Sequence, residues 1–336
     1  MAKEKLDYFA LLHLLGNGQF HSGEDIAKKI AVSRANVWHY INELDTLGLF
    51  DTPILRVRGR GYQLPYPIDW LDANTIRQLL LHTTYPIPFH VHIFNQLSST
   101  NSYLMQHDQA CSGDVVLTEW QTEGRGRRGK QWQAKIGGSL TFSLLWRFEQ
   151  DAQRLAGLSL VIGIALVRAL AAFDIPVQLK WPNDLIIDYH KLGGILIELK
   201  GDLSGPCDAV IGIGLNIDLP RSLYDSIDQP IIDLKKLTKT PPSRNQLVAE
   251  ILKQLGMLLP EFAQHGFTPF KTEWLRHHAY TMQPARLITA TQQERPIQIE
   301  DISETGALIV RYLDTHQVET VFSGEVSLRP LIHDHK

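Results

Sequence analysis

The sequence contains few cysteines: only Cys111 and Cys207 occur in 336 residues. They are far apart and not in a metal-ligand spacing, so the pattern predicts neither a disulfide framework nor a zinc site. This cysteine content is typical of proteins from a reducing compartment. The sequence also shows no internal repeat and no low-complexity segment, and its ordinary apolar and charged fractions exclude the disordered and fibrous classes.

The chain has little net charge and no long uninterrupted apolar run. A formal net charge of -3 gives no chain-wide attraction to nucleic acid or to a membrane, so any nucleic-acid site must be local. The N-terminal segment MAKEKLDYFALLHLL has no small-residue cleavage site and does not resemble a signal peptide. The longest apolar stretch, residues 155–173, includes Arg168 and small residues and predicts a buried helix. We therefore expect a cytoplasmic protein without a membrane partner.

The first 65 residues predict three short helices followed by a basic hairpin. The helical segments are LDYFALLHLL, EDIAKKI and RANVWHYINELDTL, and Ser22 and Ser33 stand at N-cap positions of the second and third. The segment ILRVRGRGYQL, residues 54–64, alternates apolar and basic residues around two glycines. This order predicts a winged helix-turn-helix that places its third helix in the major groove of DNA.

Candidate DNA contacts lie on the exposed face of the third helix and on the hairpin. A protein-contact role remains open, because residues 1–65 contain eight Lys plus Arg against seven Asp plus Glu. We favour DNA binding, since three arginines are expected at the hairpin tip, where phosphates would be met. The predicted DNA-binding residues are Ser33, Arg34, Asn36, His39, Asn42, Arg56, Arg58 and Arg60.

The rest of the chain predicts a multidomain α+β protein. A boundary is expected near residue 85, at PIPFH, after which strand and helix patterns mix in a way typical of a mixed, mostly antiparallel sheet. From residue 281 the pattern changes to short alternating strands, which predicts a small β-barrel. The predicted domains are 1–66, 67–280 and 281–336.

The segment EGRGRRGKQW, residues 123–132, has the glycine spacing of a dinucleotide-binding turn. That interpretation requires a helix next, and KQWQAKIGGSLTFSLLW has no helical period. Glycines and arginines here instead predict a flexible cationic loop near an anionic nucleotide, with Trp132 available to stack on a base. On this segment alone, a solvated basic loop or a nucleic-acid contact is equally consistent.

Two further segments carry polar residues that fit the same ligand. LKWPNDLIIDYHKLGGILIEL places Lys180, Asn183 and Asp184 at a strand-turn-strand corner, with Lys191 on the next strand. Lysines can neutralise charge on phosphate or carboxylate, whereas a simple tight hairpin would not explain two lysines in an apolar unit. The segment SSTNSYL predicts a helix cap, and a capped helix N-terminus can also present donors to a polar ligand.

Together, the motifs SSTN, QTEGRGRRG, KWPNDL, KLGGIL and GLNI, in this order and spacing, resemble the biotin protein ligases. With the helix-turn-helix ahead of them, the chain resembles the bifunctional biotin ligases that also repress the biotin operon. The resemblance covers essentially the whole chain. It implies a class II synthetase-like central domain and an SH3-like C-terminal barrel. It also implies the use of ATP and Mg²⁺ to convert biotin into biotinyl-5'-AMP, followed by transfer to a lysine.

The resemblance assigns roles to individual residues. Arg127, Lys191 and Lys180 are expected to stabilise charge during catalysis, and Asp184 to bind Mg²⁺. Residues expected to bind biotin are Ser99, Thr100, Asn101, Gln121, Arg125, Gly126, Arg127 and Lys191. Residues expected to bind the adenylate or ATP are Trp132, Asn183, Asn216 and Arg128.

The resemblance also implies partners. These are the biotin carboxyl carrier protein of acetyl-CoA carboxylase, operator DNA of the biotin biosynthesis operon, and a second copy of the chain when the adenylate is bound. Three alternatives stay open: a ligase whose first domain does not regulate transcription, a regulator that binds a nucleotide-like effector without chemistry, and a lipoate ligase of related fold.

Overall fold

Three helices and an antiparallel hairpin form the N-terminal unit of the computed structural model, which describes residues 8–81, 88–201, 204–227, 229–289, 291–324 and 326–331. Their bounds are α1 (Tyr8–Leu15), α2 (Gly23–Lys29), α3 (Arg34–Thr46), β1 (Leu55–Val57) and β2 (Gly61–Gln63). Both predicted N-caps are confirmed, because the hydroxyls of Ser22 and Ser33 accept hydrogen bonds from the amides of Asp25 and Asn36, at 3.0 and 3.1 Å.

The apolar stripe of α3 faces the core of this unit, as its spacing predicts. Val37, Ile41 and Leu44 are fully buried, because residues three and four apart share one face of a helix. The opposite face is exposed, and the side chain of Trp38 on it is 58% exposed. The predicted hairpin follows α3, with its turn between Val57 and Gly61.

A seven-stranded mixed sheet forms the centre of the molecule. From edge to edge its order is β3-β4-β7-β11-β10-β9-β8, and only β3 and β4 run parallel to each other. The strands of this part are β3 (His90–Leu97), β4 (Asp114–Gln121), the short pair β5 (Gly124–Arg125) and β6 (Gln131–Trp132), β7 (Ser139–Phe148), β8 (Gln178–Lys180), β9 (Asp184–Ile187), β10 (His190–Gly201) and β11 (Cys207–Asn216). The prediction of a mixed, mostly antiparallel sheet is confirmed.

Helices cover both faces of this sheet. On one face α6 and α9 pack against each other, and on the other α5 packs against β4, β7 and β11. The helices are α4 (Ala73–Leu80), α5 (Thr100–Gln106), α6 (Leu158–Ala171), α7 (Arg221–Ser226), α8 (Leu234–Leu237), α9 (Arg244–His265) and α10 (Lys271–His277). The segment Ala152–Ala171 is long and apolar enough to cross a membrane, yet 67% of its apolar window is buried, as predicted for a core helix.

An antiparallel five-stranded sheet ends the chain, in the order β15-β14-β13-β12-β16. Its strands are β12 (Pro284–Thr289), β13 (Glu294–Ile302), β14 (Leu308–Tyr312), β15 (Val318–Val321) and β16 (Val326–Pro330). The buried side chains of Leu287 and Leu328 belong to the same apolar cluster as those of the central sheet. The C-terminal sheet therefore shares a core with the central part.

The segment that leads from the N-terminal unit to the central sheet is hydrogen-bonded to the start of α9. The amide of Arg244 donates to Asp69 Oδ2 at 2.6 Å, and Asn245 Nδ2 donates to the carbonyl of Trp70 at 2.8 Å. The Arg244 guanidinium is fully buried and forms an ion pair with Glu119 of β4 at 2.7 Å. A fixed connection thus joins α9, β4 and the end of the N-terminal unit. The boundary predicted near residue 85 lies largely outside the described residues.

Candidate active site

A cavity of about 940 Å³ lies between the central sheet, the glycine-arginine segment and the C-terminal sheet. Among the described residues that line it, seven side chains are cationic and one, Asp184, is a carboxylate. The cations are Arg125, Arg127, Arg128, Lys130, Lys180, Lys191 and Arg329. In a chain of net charge -3, this local excess of positive charge marks a site for an anionic ligand.

The floor of the cavity is polar because of strand alternation in β7. Leu140, Phe142 and Leu144 are buried in the main core, whereas Thr141 and Ser143 occupy the alternate positions on the face that carries α5. Ser143 Oγ lies 2.7 Å from Thr100 Oγ1 and 2.6 Å from Asn101 Oδ1. The first turn of α5 is therefore connected by hydrogen bonds to the floor.

Gln121, at the end of β4, completes this polar group. Its Oε1 accepts hydrogen bonds from the amide of Thr100 at 3.0 Å and from the Thr100 hydroxyl at 3.3 Å. Ser99 caps α5 by accepting from the amide of Ser102 at 3.3 Å, as the SSTN motif predicts. Because these side chains are buried and interlinked, they present fixed donors and acceptors to a small polar ligand.

A second chain of polar contacts leads outward from Asn101. Its Nδ2 donates to Glu198 Oε2 at 2.9 Å, and the same oxygen accepts from Arg125 Nη2 at 2.7 Å. The Arg125 side chain is therefore held at the rim by Glu198 of β10. Because Glu198 holds its guanidinium, Arg125, which was predicted to bind biotin, does not point freely into the cavity.

The glycine-arginine segment is not a dinucleotide-binding turn, as predicted, but it forms a small hairpin where a flexible loop was expected. β5 and β6 pair through Gly124 with Trp132, and a short 3-10 turn spans Arg127–Gly129 between them. Arg128 has φ 56° and ψ 40°, a left-handed conformation that is uncommon for a side chain other than glycine. This strained position places two consecutive arginines against the C-terminal unit.

Both arginines donate to backbone carbonyls that follow β15. Arg127 donates to the Ser323 carbonyl at 2.9 Å and to Asn183 Oδ1 at 3.3 Å, whereas Arg128 donates to the Gly324 carbonyl at 2.7 Å. Burial, followed by the charge of Arg128, lowers the pKa of the Arg127 guanidinium. Arg128, which was expected to meet the adenylate, thus connects the segment to the C-terminal sheet in this structure.

The Trp132 indole packs against β11 at Gly214, a position that has no side chain. A Cβ on Gly214 of β11 would come within 2.6 Å of two carbons of the indole ring. Lys191 Nζ lies 5.9 Å from the ring centroid, and the buried indole Nε1 has no hydrogen-bond partner among the described residues. The absence of a side chain at Gly214 is therefore what lets the indole reach the sheet.

The predicted polar corner is formed where β8, β9 and β10 meet. Lys180 pairs in register with Asp184, and Lys191 Nζ lies 2.7 Å from Asp184 Oδ1. Burial, followed by the charge of Arg329, lowers the pKa of Lys180 to about 8. Asn183 faces Arg127, whereas Asn216 Nδ2 donates to the carbonyls of Lys191 and Ile232 at 3.2 and 3.0 Å. Asn216 therefore fixes the backbone beside Lys191.

The predicted DNA-binding residues lie on the N-terminal unit, apart from this cavity. Arg34, Asn36 and His39 are exposed on α3, and the His39 ring lies 3.1 Å from Glu43. Arg58 and Arg60 lie in the turn of the hairpin, and the Arg60 guanidinium stacks on Phe20 at 4.0 Å. Ser33 serves as the cap of α3.

The expected position of Arg56 at the hairpin tip is wrong. Arg56 lies on β1, forms an ion pair with Asp45 and donates to Asn42 Oδ1 at 2.9 Å. The physical reason is that the chain entering β1 is held to α3, because the amide of Ile54 donates to Asp45 Oδ1 at 2.8 Å, and the Arg56 guanidinium then reaches the same carboxylate. Arg56 and Asn42 therefore contact each other rather than projecting separately.

Three site residues were missed in the sequence. Ser143 could have been noticed as a polar residue within an otherwise apolar strand. Glu198 and Arg329 give no local signal, because one lies on a long strand and the other near the end of the chain. Arg329 comes to the cavity, and Glu198 to Asn101 and Arg125 at its rim, only through the pairing of β16 and β10 with their neighbours.

Comparison with known proteins agrees with this arrangement. Residues 93–217 match the biotin/lipoate A/B protein ligase family, and residues 9–63 match a helix-turn-helix domain. The chain is 35% identical over 321 residues to the bifunctional ligase/repressor BirA of Salmonella typhimurium, covering 95% of this chain and 96% of that protein. The Escherichia coli protein of the same name is 34% identical over the same shares.

A solved structure shows the same fold of the catalytic part. The biotin protein ligase of Aquifex aeolicus, in complex with biotin and ATP, superimposes with a TM-score of 0.62 at 27% identity, over 71% of this chain and 98% of that one. A family model for the ligase segment, a helix-turn-helix match and near full-length relatives above 30% identity all agree. The chain therefore belongs to the family of bifunctional ligase/repressor proteins named BirA.

Proposed function

We propose that this protein activates biotin with ATP, transfers the biotinyl group to a lysine of a biotin carboxyl carrier protein, and represses transcription when the activated intermediate is bound. The carrier is that of acetyl-CoA carboxylase, and the repressed genes are those of the biotin biosynthesis operon. The observation that carries the proposal is the cavity, which places seven cations around a buried polar floor. Family membership supplies the substrate class.

The polar floor is suited to the ureido ring of biotin. That ring has both N–H donors and a carbonyl acceptor, and Thr100, Asn101, Gln121 and Ser99 offer hydroxyl and amide groups at the first turn of α5. The backbone of Gly126 and the guanidinium of Arg125 lie at the rim of the same cavity. In this arrangement the carboxylate of biotin points toward Lys191 and Arg127.

The first chemical step joins this carboxylate to the α-phosphorus of ATP. A carboxylate oxygen forms the bond to phosphorus, the bond to the bridging oxygen breaks, and pyrophosphate leaves. Negative charge builds around phosphorus, so Lys191, Arg127 and Lys180 would act as fixed cations that stabilise it. Adenine would pack on Trp132, while Asn183, Asn216 and Arg128 border the nucleotide.

In the second step, a neutral lysine amine of the carrier attacks the acyl carbon of biotinyl-5'-AMP. The C–O bond to the phosphate breaks, AMP leaves, and the amine loses its proton. The same cations stabilise the departing phosphate oxygen. Hydrogen bonds from Arg127 and Arg128 to the C-terminal carbonyls would hold the glycine-arginine hairpin over the intermediate and exclude water from the anhydride.

The donor set fits Mg²⁺ delivered with ATP. Mg²⁺ is commonly held by one or two carboxylates together with substrate phosphates. Asp184 is the one carboxylate among the described residues lining the cavity, and the preceding residue, Asn183, lines it as well. When bound, Mg²⁺ would neutralise phosphate charge, and Lys191 would then give up its contact with Asp184 to the substrate.

The ligase proposal is tested by intact-mass analysis of a biotin carrier domain incubated with the protein, ATP, Mg²⁺ and biotin. We expect the carrier mass to rise by one biotinyl group. A carrier whose acceptor lysine is replaced by arginine is the matched control and should stay unmodified. Lipoic acid in place of biotin tests the related ligase activity, and modification by lipoic acid alone would contradict the proposal.

For repression we propose that the N-terminal unit is a winged helix-turn-helix. Its α3 would enter the major groove, with Ser33, Arg34, Asn36, His39 and Asn42 nearest the DNA and the β1–β2 hairpin on the phosphates. A homodimer formed by the adenylate-bound protein would address both halves of the operator. A gel shift that requires biotin and ATP together is the expected result, and its absence at low salt would leave only the ligase activity.

The finer fold assignments belong to the same proposal. We take residues 1–66, 67–280 and 281–336 as the DNA-binding, catalytic and C-terminal domains, with a class II synthetase-like centre and an SH3-like barrel. The apolar core that the last two domains share shows that they pack directly against each other. Acetyl-CoA carboxylase and operator DNA are both cytoplasmic in bacteria, so we expect this protein there as well.

A further inference from the structure

A second cluster of reactive side chains lies at the start of β3 and β4, outside the cavity. His90 and Asp114 are directly opposite each other in this parallel pair, and Cys111 lies in the turn that leads into β4. One ligand atom from each of these residues lies within 4.8 Å of the other two. The cluster has a histidine nitrogen, a thiol and a carboxylate, the three donor types that Zn²⁺ accepts.

The distances between the donors match those between ligands of one tetrahedral ion. Metal–ligand bonds of about 2.0–2.3 Å separate ligand atoms by roughly 3.3–3.6 Å at tetrahedral angles. In the structure, His90 Nδ1 and Asp114 Oδ1 are 3.1 Å apart, Cys111 Sγ and His90 Nδ1 are 3.8 Å apart, and Cys111 Sγ and Asp114 Oδ1 are 3.6 Å apart. The three donors therefore need only small shifts to bind one cation.

The backbone around the cluster is already fixed. Asp114 Oδ2 accepts the amide of Cys111 at 2.9 Å, which leaves Oδ1 facing the other donors. The amide of His90 donates to the Gly113 carbonyl at 2.9 Å, and the amide of Gly113 donates to the Leu145 carbonyl at 2.8 Å. The turn is thus joined to β3 on one side and β7 on the other, so little ordering would be required on binding.

A fourth donor stands next to the cluster. His92 Nε2 lies 3.6 Å from Asp114 Oδ1. His90 and His92 are two residues apart on one strand, so both side chains leave the same face of the sheet. About half of each of these histidine side chains is exposed, which gives an ion access from solvent. Hydrogen bonds to Asp114 would by themselves explain His90 and the turn at Cys111, but they do not require His92 to approach the same carboxylate oxygen.

We propose that His90, Cys111 and Asp114 form a binding site for one late first-row divalent cation, best matched by Zn²⁺, with His92 or a water molecule as fourth ligand. The mixture of sulfur, nitrogen and oxygen donors favours Zn²⁺ over Mg²⁺ or Ca²⁺, which take oxygen ligands. Bound there, the ion would connect the starts of two strands, of which β4 ends at Gln121 and β3 leads into α5, which begins at Thr100. The site is separate from the cavity proposed for biotin and ATP.

The first experiment titrates Zn²⁺ into the full chain against a chromogenic chelator, with the same protein then loaded with Co²⁺. We expect one equivalent of Zn²⁺ to bind tightly. The Co²⁺-loaded protein should show a thiolate-to-cobalt absorption band together with the visible bands of tetrahedral Co²⁺. Cys111→Ser should abolish the thiolate band and weaken this equivalent by more than about a hundredfold, since loss of an outer-shell partner alone costs up to about that much.

The chain has 14 histidines, so weak binding elsewhere must be separated from this site. His265→Ala, which removes an exposed histidine at the end of α9, is the matched control and should keep the tight equivalent. His90→Ala should abolish the tight equivalent. His92→Ala decides whether His92 is the fourth ligand, because only the removal of a direct ligand weakens binding strongly. Circular dichroism verifies that each variant is folded.

Two results would overturn the proposal. One is a wild-type Co²⁺ complex without a thiolate band. The other is a tight equivalent that persists in folded Cys111→Ser and His90→Ala variants. If Cys111→Ser fails to fold, the Co²⁺ spectrum of the wild type and the Zn²⁺ affinity of His90→Ala still decide whether the site exists. Biotin transfer by the wild-type chain is measured in parallel, so that failure of the ligase proposal is recognised independently.

Discussion

At the scale of single residues, the cations of the cavity differ in their surroundings, and this difference separates their roles. Lys191 is balanced by Asp184 at 2.7 Å, whereas Lys180 is in register with the same aspartate but lies among further cations. Arg127 is held by neutral oxygens of Ser323 and Asn183. A cation with a carboxylate partner and a cation without one respond differently to substitution and to pH.

Replacing Lys191 by alanine should lower the rate of biotin-dependent ATP-pyrophosphate exchange by about a hundredfold or more. The reason is that the substitution removes a fixed positive charge near phosphorus and leaves the negative charge of Asp184 without its cationic partner. Lys200→Ala, on the same strand but at its far end, is the control and should stay near wild type. A Lys191→Ala rate within threefold of wild type would exclude Lys191 from charge stabilisation.

Lys180 provides a pH-dependent prediction. Its pKa is about 8 in the folded protein, against an ordinary value of 10.5. Below pH 8, Lys180 is protonated in both the folded and the unfolded chain, so the folded state bears the full cost of burying its charge. Between pH 8 and 10.5 the unfolded chain binds more protons, so this contribution to stability improves as pH rises.

Lys180→Met should therefore raise the free energy of unfolding of the ligand-free protein at pH 7, by on the order of 1–3 kcal/mol. The difference between variant and wild type should shrink as the pH is raised toward 10. Urea unfolding at pH 7 and pH 9.5, with Lys200→Met as control, measures both values. A difference that is constant with pH would mean that Lys180 keeps an ordinary pKa.

At the scale of secondary-structure elements, the shape of the cavity depends on a position in β11 that has no side chain. Trp132 comes from the short hairpin β5–β6, but its position is set by Gly214 on β11, more than eighty residues away in the chain. The hairpin itself is fixed to the C-terminal unit by Arg127 and Arg128. Three separate elements thus form one side of the cavity.

Gly214→Ala should displace the indole and weaken binding of the nucleotide more than binding of biotin. Base-aromatic stacking is worth about 1–3 kcal/mol, so a tenfold or larger increase in the Kd of a non-hydrolysable biotinyl-adenylate analogue is expected. Isothermal titration with biotin alone and with the analogue separates the two effects. Gly205→Ala, where an added Cβ meets nothing within 4 Å, is the control. Equal losses for both ligands would remove Trp132 from the adenine site.

The β1–β2 hairpin offers a matched pair of arginines. Arg58 lies in the exposed turn, whereas Arg56 forms an ion pair with Asp45 and contacts Asn42. We expect Arg58→Ala to reduce the slope of log K against log salt for operator binding by about one, as for loss of one phosphate contact. Arg56→Ala should mainly lower the stability of the N-terminal unit. Fluorescence anisotropy at several salt concentrations tests this, and equal slopes for both variants would contradict it.

At the scale of the whole molecule, the units are connected through shared apolar contacts. The core of the N-terminal unit includes Ile68 and Ile136, and Ile136 follows Trp132 by four residues. The His13 ring lies 3.9 Å from that of Trp70, which belongs to the segment held by α9. The N-terminal unit is therefore in direct contact with the chain that forms the site.

Gly16→Val should disturb this contact and act on both functions. A Cβ at Gly16 would lie 2.4 Å from Trp70 Nε1, and overpacking of this kind costs about 1–3 kcal/mol. We expect a lower melting temperature and weaker binding of the biotinyl-adenylate analogue. Gly205→Val is the control. Unchanged analogue affinity in a destabilised Gly16→Val protein would show that the two units act independently.

Much of the site could be predicted from the sequence because its motifs are local. The spacing of SSTN fixes a capped helix, and KWPNDL fixes a corner with Lys180 and Asp184 at known positions. Arg56 was misplaced because its partner, Asp45, lies on another element. Glu198 and Arg329 could not be found for the same reason, since only strand pairing brings Glu198 to Asn101 and Arg125 and brings Arg329 to the cavity.

The sequence by itself determined the helix caps, many of the strands and helices, the failure of the dinucleotide interpretation, and most of the charged residues that line the cavity. These follow from rules that act over a few residues: periodicity, capping and turn chemistry. Only the tertiary structure decided which cations are balanced, how Trp132 is seated, and that Cys111 meets His90 and Asp114 although cysteine spacing predicted no zinc site. The reason is that pairing of distant strands sets which side chains meet, and no local pattern encodes that pairing.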